Sequence, residues 1–477
     1  MSNSSVKLIS ASVLATMLAA CGGDGDGNTK PTPTPAPSPT PTPAPGEPVS
    51  RTLTGTVRAA NGDPIPYAAV YVAGNGSGKL VSVRPPSRAE VDPSAACQAS
   101  IPANVLAGTC SGADGSFSLT LPPSSTPPSQ LVIQKGSLKT TKSIACGQEA
   151  TCALPSGATT VGAGDNNAYP AVAVVTGNYD QIENVLAKLG DANLTDEVAG
   201  VYGRVDSAGR FVYGSEYGSK LTIIDGGGMP LISENAAQIG SYPTWASFLD
   251  GTRPLLDANG KPLFSVIFID CGNDADGLLS DPAVRARLKA YVDAGGRLYV
   301  TDWSYNFVEQ VFPQAAKFEG DPDDANTPGS PDAAKSGSGG LHLNAAINLP
   351  ALATWLKAVP VVSNVAGTAP GNPESDCAST GTVNGALNSD GTLPVGDFLG
   401  AWVHIAGFHD AAGSLVVSSG SGVDFDGLVN RPLTFIRAEG NQGGKLIYSS
   451  YHTADECPST RFWPQERVLQ FLIFESI

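Results

Sequence analysis

Three aspartates are the first residues in this chain whose types and spacing could do chemistry. Asp225, Asp270 and Asp302 each close a short apolar run, in LTIID, SVIFID and RLYVTD. Runs of this kind suit strands buried on both faces of a parallel sheet. Ligands of open α/β sheets bind outside the carboxyl ends of the strands, which is where these acids would stand. Two carboxylates about 4 Å apart repel by about 4 kcal/mol at an effective dielectric of 20, so a shared crevice calls for a cation, a retained proton or an opposing base. One role is therefore a Ca²⁺ or Mg²⁺ site made by Asp225, Asp270 and Asp302, or a general acid-base set acting with His452 on a sugar-like substrate. The other is that the acids point to opposite faces, cap helices and bond backbone amides. Glu309, soon after Asp302, is placed to join them.

The remaining chemistry-bearing residues are fewer. His404 and His409 in AWVHIAGFHD lack cysteine or glutamate at metal-ligand spacing and read as structural. His452, just past an expected strand, is the better candidate. Cys271 also follows a strand. A cysteine nucleophile on a strand-to-helix elbow needs small residues two places to either side, however, and Ile269 and Asn273 occupy those places. Cys271 therefore reads as a buried or paired structural cysteine.

The elements that must position these residues are legible in part. The segment FSVIFIDCGNDADGLLSDPAVRARLKAYVDAGGRLYVTDWSY contains a strand over 265–270, a helix and a strand over 297–302. Asp281 before Pro282 supplies the helix N-cap, Val284, Leu288 and Val292 its apolar face, and Gly295 its stop. Earlier strands are expected over 171–175 and 221–225, with a helix between them carrying Ile182, Val185, Leu186 and Leu189. Two late strands, over 433–437 and 445–451, form a hairpin, and 463–474 forms a closing amphipathic helix. The segments 320–340 and 377–395, rich in Gly, Ser, Pro and Asp, read as loops.

The first part of the chain has a different character. Leu53 to Val57 alternates, the turn Asn61-Gly62-Asp63-Pro64 follows, and further strands are expected over 68–72, 113–119 and 130–134. That spacing argues a small antiparallel β-sandwich over residues 51–155, followed by an α/β domain over 165–477. The GTV, NGDPIPYAAVYV and GADGSFSLTLP segments resemble the carboxypeptidase regulatory-like domain, a transthyretin-like sandwich that implies no catalysis. VIFIDCG, YVDAGGRLYVTD and GGKLIYSSYHT resemble the class I glutamine amidotransferase-like, flavodoxin-type fold, nearest to its ThuA-like group. No catalytic cysteine carries over from that family.

Residues 1–20 read as a signal peptide, with Lys7 before the apolar run 8–18, which is too short to span a bilayer. Leu18-Ala19-Ala20-Cys21 resembles the bacterial lipobox, which implies lipidation of Cys21 and a membrane partner through that lipid. Gly22 in place of an aspartate favours the outer membrane. Over 21–50 the chain is a Pro-rich stalk without a core, and its polyproline stretch reaches roughly 60 Å at about 3.1 Å per residue. The expected address is thus the cell envelope, with an envelope glycan or protein as ligand. A net charge of −16 argues against nucleic acid. Export permits disulfides, and the expected pairs are Cys97 with Cys110, Cys146 with Cys152, and Cys377 with Cys457.

Overall fold

The structure is a computed structural model describing residues 48–59, 62–74, 93–136, 138–161, 170–180, 182–188, 204–205, 211–212, 221–227, 242–320, 334, 337, 341–359, 387–398, 402–421, 430–452 and 464–476. The expected lipobox with Cys21, the expected stalk up to residue 47 and the expected Cys377–Cys457 pair lie outside the described residues, while Val49 and Ser50, read as the end of the stalk, begin the first strand.

Two small sheets and a two-stranded parallel pair, Arg58–Ala59 with Thr160–Val161, make up the N-terminal part. Ser116–Ser124 pairs antiparallel with Val49–Thr56, which also takes Thr151–Ala153 on its other edge. This second pairing is parallel, which corrects the expectation of a wholly antiparallel sandwich. The other sheet is antiparallel, in the order Val105–Cys110, Ala69–Ala73, Gln130–Lys135, Leu138–Ser143. Phe117, Leu119 and Leu121 face inward at alternate positions, as a strand with one buried face requires. Cys97 is bonded to Cys110 and Cys146 to Cys152.

The C-terminal part is built on one nine-stranded sheet. Its strands in chain order are β1 (Val172–Val175), β2 (Leu221–Ile224), β3 (Val266–Ile269), β4 (Arg297–Thr301), β5 (Leu341–Ile347), β6 (Leu393–Phe398), β7 (Ser414–Gly420), β8 (Arg431–Glu439) and β9 (Gly444–Ser449). Their spatial order is β2-β1-β3-β4-β9-β8-β7-β5-β6. The first five of these run parallel, and the remaining pairings are antiparallel. The antiparallel wing β5-β6-β7 goes beyond the expected elements, and β6 begins inside the segment read as a loop.

Helices cover both faces of the parallel strands. On one face, Val172, Val174, Phe268 and Tyr299 pack with α1 (Ile182–Lys188) and α5 (Pro464–Ser476). On the other, Val175, Ile269, Leu298 and Val300 pack with α2 (Trp245–Leu249) and α3 (Pro282–Asp293). Burying each such aliphatic side chain contributes roughly 1.5–3 kcal/mol. The start of α3 is set as its sequence dictates, with the Asp281 carboxylate accepting from the Ala283 amide at 2.8 Å and Pro282 in the first turn. Its end turns at Gly295, whose φ of +101° lies in the region that glycine adopts without penalty.

The N-terminal part meets the C-terminal part at Asp63 and Pro64. Trp355, on α4 (Pro350–Ala358), donates its indole N–H to the Pro64 carbonyl at 2.8 Å, and Asp63 meets Arg467 and Gln470 of α5. One apolar cluster runs from Leu53, Ile65 and Phe117 to Trp355, Phe471 and Leu472.

Candidate functional site

Register decides which side chains meet at the carboxyl ends of the parallel strands. In the β3–β4 pairing Ile269 lies opposite Val300, so one and two steps further Asp270 follows on beside Thr301, and Cys271 beside Asp302. Alternation then sends Asp270 to one face of the sheet and Cys271 with Asp302 to the other, since successive residues of a strand point oppositely. Next to β4, Thr301 pairs with Ser449 of β9, which brings His452 to the same end.

Asp302 is the centre of the resulting group. It stands directly between β4 and a short 3₁₀ turn, Asp302–Ser304, which runs on to the helical turn Asn306–Glu309. Its φ is +40°, a left-handed conformation that aspartate tolerates better than most residues but that costs on the order of 1–3 kcal/mol. The strand–turn–helix corner sought at Cys271 is therefore found at Asp302. After Cys271 the chain takes a 3₁₀ turn, Asp274–Ser280, before α3 begins.

The Asp302 carboxylate is fully engaged. Oδ1 accepts from the Val403 amide at 2.7 Å, while Oδ2 accepts from the Cys271 thiol at 3.5 Å and lies 3.2 Å from His452 Nε2. Tyr448 donates its hydroxyl to the Asp302 carbonyl at 3.0 Å. Asp302 is 1% exposed, His452 2% and Cys271 wholly buried. Burial raises the Asp302 carboxyl above its ordinary range, opposed by the hydrogen bond and charge of His452 and by the Val403 and Cys271 donors. Burial, then the charge of Asp302, lifts the Cys271 thiol well above its usual value.

The loops that frame this group approach closely. A Cβ on Gly177 would stand 2.0 Å from the Cys271 carbonyl oxygen, and one on Gly226 would stand 1.9 Å from that of Thr176. Only glycine admits such contacts. The Tyr179 amide donates to the Cys271 carbonyl at 3.2 Å, and the Tyr179 ring lies parallel to that of His452, with centroids 6.5 Å apart.

The other residues singled out in the sequence go elsewhere. Asp270 is buried on the opposite face beside Glu183 of α1. Burial, then the charges of Glu183 and Asp180, raises Asp270 well above its usual range, and burial raises Glu183 to about 7. Asp225 is half-buried and accepts from the Gly227 amide at 2.9 Å, closing its own turn. The three acids thus do not form one crevice, which corrects the Ca²⁺ or Mg²⁺ set of Asp225, Asp270 and Asp302. Glu309 is buried in the turn after Asp302. His404 packs against Trp402, with ring centroids 4.0 Å apart, and burial followed by the nearby Lys317 charge lowers His409. Sequence reasoning missed Val403, whose contribution is a backbone amide, and the union of Cys271 with Asp302. Among the described residues, the group of three metal-ligand types that comes together is Cys271, Asp302 and His452, with donor atoms within 4.8 Å of one another.

No protein family matches this chain. No curated protein matches it either. Among solved structures, it is similar over 44% of its length to a cold-adapted β-galactosidase from Rahnella sp. R3, at 14% identity and a TM-score of 0.19. The chain spans 22% of that enzyme, and a likeness at this score carries no argument.

Proposed function

We propose that this chain is a lipid-anchored protein of the cell envelope, held at the outer membrane through Cys21, whose α/β domain binds an envelope glycan without catalysing a reaction. The observation that carries the binding reading is the pairing of exposed aromatics with a saturated polar centre. Tyr179 is 50% exposed and Trp303 37%, and they are the aromatic members among the exposed large apolar side chains of the described residues. Tyr179 lies on the ring of His452 and Trp303 follows Asp302 in the chain. Aromatic walls beside a few fixed polar groups are what small-molecule sites are made from. The nearby acid, Asp302, has its oxygens committed to Val403, Cys271 and His452, which supports a fixed polar centre.

The order β2-β1-β3-β4-β9 with all five strands parallel supports the flavodoxin-type, class I amidotransferase-like assignment of this domain. The two small sheets support the carboxypeptidase regulatory-like assignment of the sandwich, and the two disulfides suit an oxidising compartment. Among the described residues no helix is long and apolar enough to cross a membrane, and attachment is assigned to the lipid.

The test is retention of the full chain on insoluble envelope glycan. We expect retention that Tyr179→Ala with Trp303→Ala reduces at least about tenfold, which corresponds to about 1.4 kcal/mol. Absence of retention on any envelope glycan contradicts it. A second reading, a hydrolase acting on a sugar-like envelope substrate, is favoured by the left-handed backbone of Asp302, since such strain gathers at active sites. Turnover of a glycoside that Asp302→Asn and His452→Gln abolish would select it.

A further inference from the structure

We infer that Cys271, Asp302 and His452 form a binding site for a divalent transition metal, with Zn²⁺ the ion whose geometry they fit. This inference does not rest on glycan binding. A Zn²⁺ ion bonded at about 2.3 Å to sulfur and about 2.0–2.1 Å to nitrogen and oxygen sets tetrahedral sulfur and oxygen donors about 3.5 Å apart, and nitrogen and oxygen about 3.3 Å apart. Here Cys271 Sγ is 3.5 Å from Asp302 Oδ2, and His452 Nε2 is 3.2 Å from the same oxygen. Each of the three residues brings a donor atom within 4.8 Å of the other two, which sets them around one common point.

Hydrogen bonds share two of these lengths, so the donor set carries the case. One sulfur, one imidazole nitrogen and one carboxylate oxygen select zinc and its neighbours over Ca²⁺ and Mg²⁺, which take oxygen ligands. The three residues follow the carboxyl ends of three neighbouring parallel strands, Asp302 directly, Cys271 two residues past β3 and His452 three past β9, so the sheet brings them to one edge. Cys271 is a free, buried thiol while the other described cysteines are paired, and so it is available as a ligand.

Charge balances as well. On binding, the Cys271 S–H bond breaks, sulfur keeps the electron pair as a thiolate, and the proton leaves to solvent. Asp302 binds as the carboxylate, and His452 offers the Nε2 lone pair with its proton on Nδ1. Two anionic ligands and one neutral ligand then neutralise the dication, which removes the uncompensated charge that a buried site cannot tolerate. Asp302 Oδ1 keeps its bond from Val403, a partner of the kind that orients metal ligands.

The experiment uses the full chain, stripped with a chelator and titrated with Co²⁺ and then Zn²⁺. Co²⁺ should bind at one equivalent and give a near-ultraviolet thiolate charge-transfer band with tetrahedral visible bands, both displaced by Zn²⁺. Cys271→Ser should abolish the charge-transfer band. Asp302→Asn and His452→Gln should each weaken Zn²⁺ by more than about 100-fold, beyond what the loss of an outer partner costs. The wild-type spectrum decides even where a variant fails to fold. Folded wild-type chain that binds no Co²⁺, or that binds it without a thiolate band, overturns the inference, as does a folded Cys271→Ser chain that keeps the band.

Discussion

Asp63 and Asp302 are two buried aspartates that the fold treats differently. Asp63, in a turn of the N-terminal part, meets a guanidinium and an amide, Arg467 and Gln470 of α5. Asp302, at the end of β4, meets a thiol, an imidazole and a backbone amide on a backbone of positive φ. The first is a charge neutralised by a fixed opposite charge, which is how a chain fastens one part to another. Among the described residues the second meets no permanent cation and is surrounded by groups that ligate or exchange protons. Burial alone therefore does not mark a site; the kind of partner does.

The largest way to break this comparison is to remove one half of the docking pair. Arg467→Leu leaves Asp63 buried without its cation and should cost about 3–5 kcal/mol, whereas Asp63→Leu with Arg467→Leu should cost less than the single change. Urea denaturation reads both, and equal losses would show that the pair is not a fastening. Next in size is the disulfide staple of the N-terminal part. Replacing Cys97 and Cys110 by alanine opens a loop with a sequence separation of 13 and should cost about 3 kcal/mol in the same measurement.

Asp302→Asn should cost less, about 1–2 kcal/mol, because asparagine also tolerates the left-handed backbone and still accepts from Val403. A loss as large as that of Arg467→Leu would make Asp302 a structural anchor like Asp63. The gentlest effect is on pH. Burial holds Glu183 at about 7 against an ordinary 4.5, so the folded chain retains a proton there that the unfolded chain has released. Stability from this group is full below about pH 4.5 and is lost as pH rises through about 7. We expect the melting temperature to fall by about 2–4 °C across that window and Glu183→Gln to flatten the slope. An unchanged slope would place the titration elsewhere.

Much of the parallel sheet was legible because its strands are short, fully apolar and acid-ended, as in VIFID and LYVTD, with caps such as Asp281-Pro282 around α3. The wing β5-β6-β7 was not, since LHLNAAI and SLVVSSG mix small and polar residues and take their strand character from their neighbours. The site was legible only as a location. That Asp270 and Cys271 part company follows from a register of one residue, and a one-residue step reverses a side chain's face. The left-handed turn at Asp302 and the amide of Val403 have no side-chain signature, so no motif search would have found them.

Anomalous diffraction at the zinc edge, from crystals of the full chain grown with Zn²⁺, tests the distinction between the two aspartates most directly. A single peak is expected, bounded by Cys271 Sγ, Asp302 Oδ2 and His452 Nε2, with no peak at Asp63. A chain that crystallises with Zn²⁺ and shows no anomalous density at Asp302, with the Cys271 thiol still donating to its carboxylate, would contradict it.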